Sequence, residues 1–393
     1  ATIYSSKDVT TYDEKALFYG EDLEHITIEG RGVINGQAEY EWRLSDHDDR
    51  YIIDNQRRME ALGKPLMRPF PTENSIGNLL LLKRCKDVLI RDASFIDSPS
   101  WTMHPYACER LIIDGVYVHT SREAGVWADG IDPDGCKDVR ISNCTIDSGD
   151  DALVFYSSEI YGSALPCENI TVTNCRLSSA SSAIKFCDGI INCVRKVTID
   201  NCVITDSNRG IAFMEFDGGY VSDVVISNLT IDCGRYDWFW WGEGDPFHFN
   251  VIQRSEKHPE LEWKDEPPAG SISNVLIQNV IARGQGPSVI KGHPDSWLDG
   301  ITMKDIKLII SSDPEAPYEI GGHALTFQRA RNLRLENIEV VWDEQRSDQW
   351  QSALNMEDIE GLTLIDIKGP HADTDSSDPA IQLNRVKHAT KQD

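Results

Sequence analysis

The chain has 393 residues, 40% of them hydrophobic, with no long polar tract, so it can bury a large core. Acidic residues outnumber basic ones 64 to 38, a formal charge of −26, and the summed field repels nucleic acid and anionic membrane surfaces and penalises a highly anionic polymer unless local cations compensate. No apolar run approaches the roughly 20 residues needed to span a bilayer, and the ten cysteines form no C-x-x-C pair that would suggest zinc.

The first residues, Ala-Thr-Ile-Tyr-Ser-Ser, show no basic segment followed by an apolar one, so a leader is expected either to have been removed or never to have stood there. Residues 37 to 75 are polar and arginine-rich, with prolines near their end, and predict a long loop or short helix. From Cys85 onward one phrase recurs: a turn, an alternating apolar strand, a small or amide residue, then a second apolar pair. It reads CKDVLIRDASF from Cys85, CERLIIDGVYV from Cys108, CKDVRISNCTI from Cys136, CENITVTNCRL from Cys167, VRKVTIDNCVI from Val194 and VSDVVISNLTI from Val221. Further copies start at Ile272, Leu298, Ala330 and Ile359, and successive starts lie 23, 28, 31, 27, 27, 51, 26, 32 and 29 residues apart.

No helical pattern lies between these strands, so each copy reads as one coil of a β-solenoid. Alternating V-x-I positions bury one face, and a single coil cannot cover that face without neighbours stacked on it. The prediction is one all-β domain over 1–393, a single-stranded right-handed parallel β-helix of roughly ten or more coils, interrupted by insertions at 37–75 and 235–270. Asn143, Asn174, Asn201, Asn228, Asn279 and Asn337 share one place in the repeat and predict a side-chain ladder through a turn, its amides pointing inward. Cys144, Cys175 and Cys202 follow the first three and should stack inside as small apolar fillers. The sequons at Asn143, Asn169 and Asn228 carry little weight on that reading.

Clustered polar groups fall between residues 126 and 215. Trp127-Ala128-Asp129-Gly-Ile-Asp132-Pro-Asp134 is followed by Ser148-Gly149-Asp150-Asp151. Counted from the Gly-Ile and Ala-Leu pairs that follow them, Asp129 and Asp151 take equivalent places on adjacent coils, about 5 Å apart, with Asp150 alongside. Either motif alone reads as a solvated turn; their coincidence on neighbouring coils points to chemistry. Crowded carboxylates cannot all ionise normally, and a protonated acid beside an anionic partner is what glycoside hydrolysis needs.

At these residues the chain resembles glycoside hydrolase family 28, the polygalacturonase-like enzymes with a pectin-lyase-like fold. LFYGEDLEHITIEGRGVINGQ from Leu17 resembles the family's first coils, SPSWTMHPYACERLIIDGVYV the segment before its catalytic coil, and ADGIDPDGCKDVRISNCTIDSGDDALVFYSS its most characteristic block. The resemblance implies that Asp150 is the general acid and that Asp129 and Asp151 activate water for an inverting displacement, with no metal and no cofactor. The departures are equally plain. The family's Asn-Thr-Asp stands as Trp127-Ala128-Asp129, its Gly-His-Gly as Ser181-Ser182-Ala183, and its Arg-Ile-Lys as Ala212-Phe213-Met214 after Arg209-Gly210-Ile211. A uronate carboxylate left unpaired at the last of these would cost a few kcal/mol, which argues against unsubstituted polygalacturonan as substrate.

Lys185, one coil from the missing arginine and on the column of Asp132, is expected either to bind an acid group or to pair with Asp132. Arg209 and Asp132 join it as candidate substrate-binding residues. His104 either lines a subsite or fills a buried, hydrogen-bonded place. The excursion after Val221 offers Trp238, Trp240 and Trp241 beside Glu243, Asp245 and His248; its aromatics either stack on sugar rings or plug a loop against the coil. Leaving the coil just after the catalytic strands, it should wall one end of the cleft and favour attack at chain ends.

The function expected is hydrolysis of a pectic or related plant or algal polysaccharide or oligosaccharide by a secreted or periplasmic protein, without nucleic acid or membrane insertion. Two rivals share the fold. A calcium-dependent polysaccharide lyase would use Asp129, Asp132, Asp150 and Asp151 as hard oxygen ligands, with only Lys185 and Arg209 near enough to act as base. A non-catalytic carbohydrate-binding solenoid would account for the lost histidine and cations, though not for three crowded carboxylates.

Overall fold

In the computed structural model the described residues are 1–12, 14–43, 63, 70–71, 76–122, 124–235, 242–257, 262–311, 321–344 and 347–392. They form a right-handed parallel β-helix, the hand that twisted parallel strands and their connections favour. Pairing between coils is parallel and runs in register along the stack; Leu111, Val139, Ile170, Val197, Val224, Val275 and Ile301 fall in one line. All of them are 1% exposed or less. Within Lys137–Ser142, Val139 and Ile141 point in while Arg140 points out, so the two-residue period of the sequence becomes an inside and an outside. Each inward Val, Ile or Leu gains about 1.5–3 kcal/mol only once the next coil covers it, which is why the coils stand as one stack.

The turns are set by left-handed backbone. Asp138, Asn169, Asp223 and Asn274 at one turn, and Asp92, Asn143, Asn174, Asn201, Asn228, Asn279, Asp305 and Asn337 at the next, all have φ between +50° and +61°. Short polar side chains tolerate this region where others are strained. The asparagines do form a ladder, Asn174 donating to Asn143 Oδ1 at 3.4 Å and Asn201 and Asn279 donating in the same way to Asn174 and Asn228. They lie on the outside, however, correcting the inward orientation read from the sequence: a left-handed residue at the corner turns its side chain away from the core, and Asn143 is exposed. The amide nitrogens of Asn143, Asn169 and Asn228 are spent as donors to Asp114, Asp138 and Asp200. The cysteines behind the ladder are buried, and all ten thiols of the chain are free and buried.

One set of strands bears the polar cluster: Met103–Tyr106, then Ile131 and Asp134, Leu153–Ser157, Ser182–Ile190, Arg209–Glu215 and Asp245–Val251. Beneath it Phe155, Phe186, Phe213 and Phe249 form a continuous stack, with ring centroids 5.1, 4.1 and 4.1 Å apart. The stretch 235–270 is not a single loop, as its sequence suggested. Asp245–Val251 within it is a regular strand paired between Arg209–Glu215 and Ser288–Lys291; alternation in DPFHFNV buries Phe247 and Phe249, and the proline and aromatics had hidden that pattern. A short helix, Arg254–Lys257, follows. In the other insertion a single turn at Ala38–Tyr40 and a two-residue antiparallel pairing of Trp42–Arg43 with Phe70–Pro71 are seen. Among the described residues no helix is long and apolar enough to cross a membrane.

Candidate active site

Met103, Ile131, Leu153, Ile184, Ile211 and Phe247 stack inside the coil. Two residues back along each chain stand Trp101, Asp129, Asp151, Ser182, Arg209 and Asp245, so strand periodicity alone sets six polar or aromatic groups in one line at the mouth of the sheet. Asp150 joins them from the Ser148–Asp151 turn, where the hydroxyls of Ser148 and Ser179 both donate to its carbonyl, at 2.7 and 2.6 Å. Thr120 ties this turn to the preceding one, donating to the Ala128 carbonyl and accepting from the Gly149 N–H. A Cβ at Gly149 would stand 2.1 Å from the Ser121 carbonyl oxygen; only glycine lets the two turns close.

Asp129, Asp150 and Asp151 are 2, 6 and 2% exposed, and one oxygen of each lies within 4.8 Å of the others. Their surroundings differ. Asp151 accepts the Ser182 N–H at 2.8 Å and the Lys185 ammonium at 2.7 Å. Asp150 accepts the N–H of Trp127 at 3.0 Å, a bulky residue held at φ +64°. Asp129 accepts the Asp151 N–H at 3.1 Å, and burial, with the charges of Asp150, Asp132 and Asp151, pushes its carboxyl well above the usual carboxylate range. Burial and the charge of Asp151 push Asp132 up likewise. Three carboxylates so close are a set that could hold a divalent cation, but the Lys185 ammonium already sits against Asp151, so a metal there would face a fixed positive charge.

The cleft over the trio has a volume of about 190 Å³ and is lined by Trp101, Trp127, Tyr156, Ser181 and Met214 as well as by charge: Lys185, Arg209 and Lys257 against the trio and Asp188. Trp101 stacks on Tyr156, ring centroids 5.1 Å apart, over a small outer cluster of Val154, Tyr156 and Cys187. Arg209 is fixed through Nε to Asp245 Oδ2 at 3.3 Å, and its two terminal nitrogens have no hydrogen-bond partner among the described residues. Asp245 also takes His248 Nδ1 at 3.0 Å. Burial and the Arg209 charge lower the His248 pKa. Burial alone would raise Asp188, but Lys185, Lys257 and Arg254 hold it well below the ordinary range.

Of the residues singled out in the sequence, Asp129, Asp150, Asp151, Lys185 and Arg209 therefore converge. Others do not line the cleft. His104 is fully buried, with Nε2 3.3 Å from Asp134 Oδ2, behind Trp101. Asp132 is fully buried, and neither carboxylate oxygen has a hydrogen-bond partner among the described residues. Lys185 does share the column of Asp132, two coils on, but its ammonium turns to Asp151 and, at 3.7 Å, to Asp188. His248 stands one step back, and Glu243, paired with Arg235 at 3.4 Å, lies away from the cleft. Trp238, Trp240 and Trp241 lie outside the described residues. Sequence reasoning missed Lys257 and Asp188. Lys257 comes from the irregular stretch after Val251, where no period gives a direction; Asp188 could have been found as the acid three residues after Lys185.

Ala212 is buried and Met214 reaches the cleft uncharged, yet Lys185, Arg209 and Lys257 supply positive charge there from other positions.

Comparison with known proteins gives a consistent picture. The model for the family "Glycosyl hydrolases family 28" matches residues 2–233. A "Probable polygalacturonase" of Vitis vinifera is 26% identical over 255 residues, 61% of this chain and 47% of its own length. The chain spans about half the length of the curated relatives it matches. An exopolygalacturonase of Thermotoga maritima has the same fold, with a TM-score of 0.57 at 21% identity, covering 84% of this chain and 72% of that one. The polygalacturonase of Erwinia carotovora superposes with a TM-score of 0.55 at 15% identity, covering 78% and 77%.

Proposed function

Because the chain belongs to glycosyl hydrolase family 28, we propose that it hydrolyses glycosidic bonds of a pectic or related acidic polysaccharide or oligosaccharide outside the cell. The observation that carries this reading is the convergence of three buried aspartates with Lys185, Arg209 and Lys257 in one aromatic-walled cleft. Aromatic faces take the C–H surfaces of sugar rings, and the guanidinium of Arg209, which lines the cleft and is anchored through Nε to Asp245, suits a planar carboxylate. A uronate-containing polymer is the substrate class that this charge suits.

In the leading mechanism Asp150 protonates the leaving oxygen while Asp129 and Asp151 share a water that attacks the anomeric carbon, inverting its configuration. A second reading rests on spacing. Inverting pairs usually stand roughly 6.5–9.5 Å apart and retaining pairs about 5 Å, whereas oxygens of the trio approach within 4.8 Å. On that reading one carboxylate attacks directly and configuration is retained. Water held by two carboxylates at once reconciles the inverting route with the short spacing.

The test is reducing-end release from a panel of pectic, hemicellulosic and algal polysaccharides by wild type and Asp150→Asn, with the anomer of the first product followed by NMR. Cutting of one uronate-containing substrate, lost in the variant, supports hydrolysis, and the anomer chooses between the two routes. An unsaturated product absorbing in the ultraviolet would replace hydrolysis by elimination; binding without cutting would make the protein a carbohydrate-binding solenoid. On a uronate substrate Arg209→Met is expected to raise KM about tenfold with little change in kcat.

A further inference from the structure

The turn that leads to Asp129 carries one large apolar side chain at the surface. Val126 and Ala128 are fully buried, while Trp127 between them is 41% exposed and lines the cleft. Its backbone is left-handed, at φ +64°, a region that a bulky side chain enters only at a cost. We infer that Trp127 is a substrate-binding residue, its indole receiving the C–H face of the sugar that departs with the oxygen protonated by Asp150. This rests on the hydrolytic reading of the site.

No other large apolar side chain shares this backbone. Among the described residues every other left-handed position that is not glycine carries a polar side chain, Ala107 excepted. A tryptophan kept for the core is buried, as Trp350 is at 3% exposed, and Trp127 is not. The backbone around it is held from both sides. The Ala128 N–H donates to the Gly125 carbonyl at 3.1 Å, and the Ala128 carbonyl accepts Thr120 Oγ1 at 2.9 Å. A Cβ at Gly125 would stand 2.5 Å from the Ser121 carbonyl oxygen and 2.9 Å from the Ala128 Cβ, so the turn has little room to relax. Enforced strain of this kind at the rim of a cleft marks a side chain held there for use.

Position assigns the sugar. The Trp127 N–H donates to Asp150 Oδ2 at 3.0 Å, so the residue reaches the cleft from the side of Asp150. On the hydrolytic reading Asp150 serves the leaving oxygen, and Asp129 and Asp151 serve the water that attacks the anomeric carbon. A ring beside Asp150 therefore meets the sugar that keeps that oxygen, rather than the sugar under attack. An aromatic face takes the C–H surface of such a ring without needing a charge on it. One residue then binds the acid through its N–H and the leaving sugar through its side chain, which fixes the distance the proton has to cross. Trp101 has a different place. On the line of Asp129, one coil earlier, its ring is stacked on Tyr156 with centroids 5.1 Å apart and lies edge-on to His104 at 4.7 Å, so it belongs to the wall.

The experiment compares wild type with Trp127→Asn, which tolerates left-handed backbone and keeps the N–H to Asp150 but has no ring, and with Trp127→Phe, which keeps a ring. On an oligosaccharide that wild type cuts, Trp127→Asn is expected to lower kcat/KM by about tenfold to thirtyfold, mostly through KM, and Trp127→Phe by less than about threefold. On the glycosyl fluoride of the same sugar, whose leaving atom carries no ring, the loss in Trp127→Asn should be smaller by about threefold or more. The melting temperature of Trp127→Asn should hold or rise by about 1–2 °C as strain is released. Equal losses on the two substrates overturn the proposal, since the residue would then act through the acid alone. So does an unchanged kcat/KM on the oligosaccharide, with or without a fall in melting temperature, and either result leaves the hydrolytic reading intact. Should wild type cut nothing, that reading fails separately, and calorimetric titration with the same oligosaccharides decides for Trp127. Binding about tenfold weaker in Trp127→Asn supports the indole as a sugar platform; equal affinity, or no binding by wild type, overturns it.

Discussion

Two columns of polar side chains run along this solenoid and obey the same geometry with opposite results. At the corner turn Asn143, Asn174 and Asn201 repeat at the coil spacing, with Asn201 donating to Asn174 and Asn174 to Asn143. At the mouth of the site strands Asp129 and Asp151 repeat at the same spacing and can only repel. An amide is both donor and acceptor, so stacking completes its hydrogen bonds; a carboxylate only accepts, so stacking leaves it in need of protons or cations. The exposed column is relaxed and uniform. The buried one is strained and asymmetric, with Lys185 on one member and a raised pKa on another. A repeat fold thus places a chemically unequal set of groups by varying residue type alone.

The sharpest way to break this contrast is to convert carboxylates of the buried column to amides. Asp150→Asn is expected to lower kcat on the order of 10⁴-fold, since a proton donor to the leaving group is lost. Asp129→Asn should remove activity comparably while raising stability by about 1–2 kcal/mol, because like-charge repulsion is relieved and the amide oxygen can still accept the Asp151 N–H. Thermal and denaturant unfolding beside the activity assay checks this; a loss of stability in Asp129→Asn would mean that the crowding is not strained.

Glu215 separates burial from like charge. It ends the Arg209–Glu215 strand fully buried, one oxygen accepting the Asp217 N–H at 3.2 Å and the other without a hydrogen-bond partner among the described residues. Burial pushes its pKa up to about 8, against the Asp217 N–H, which pulls it down. Below the ordinary glutamate range both folded and unfolded chains hold the proton, and the contribution to stability is complete. As pH rises toward 8 the unfolded chain ionises first, so stability falls and then levels. From about 4.5 to about 8 the fall is roughly 3–5 kcal/mol. Asp129 and Asp132 shift in the same direction and add to it. Glu215→Gln should flatten that slope in urea unfolding followed between pH 5 and 8. A slope equal to that of wild type would show that Glu215 finds a partner when it ionises.

These contrasts were unequally legible in the sequence. Register and core followed from V-x-I alternation and the repeat, because stacking forces identical environments on identical phrases. The convergence of Asp129, Asp150 and Asp151 followed from the same counting. What the repeat does not govern was lost: Lys257 on its short helix, the regular strand Asp245–Val251 concealed in an aromatic-rich stretch, and the direction of the ladder asparagines, which depends on backbone sign rather than on period. Lys185 shows the limit most clearly. Its column was countable, but a long flexible side chain chooses its partner from a neighbouring column, and Asp151 offered a closer carboxylate than Asp132.

The smallest expected effect tests the relaxed column. Asn174 accepts from Asn201, donates to Asn143 and holds φ +55°. Asn174→Ala loses both amide bonds and puts a Cβ-bearing residue in the left-handed region without compensation, a cost of about 1–2 kcal/mol. Asn174→Gly loses the bonds but relieves the backbone, and should cost about half as much. Neither should change kcat, since the turn is on the outside of the coil, away from the cleft. Equal losses in the two variants would assign the whole effect to the hydrogen bonds, while no loss in either would show that the exposed amides exchange their partners for water at no cost. In that case the corner asparagines are there for their tolerance of left-handed backbone, and the difference between the two columns reduces to burial.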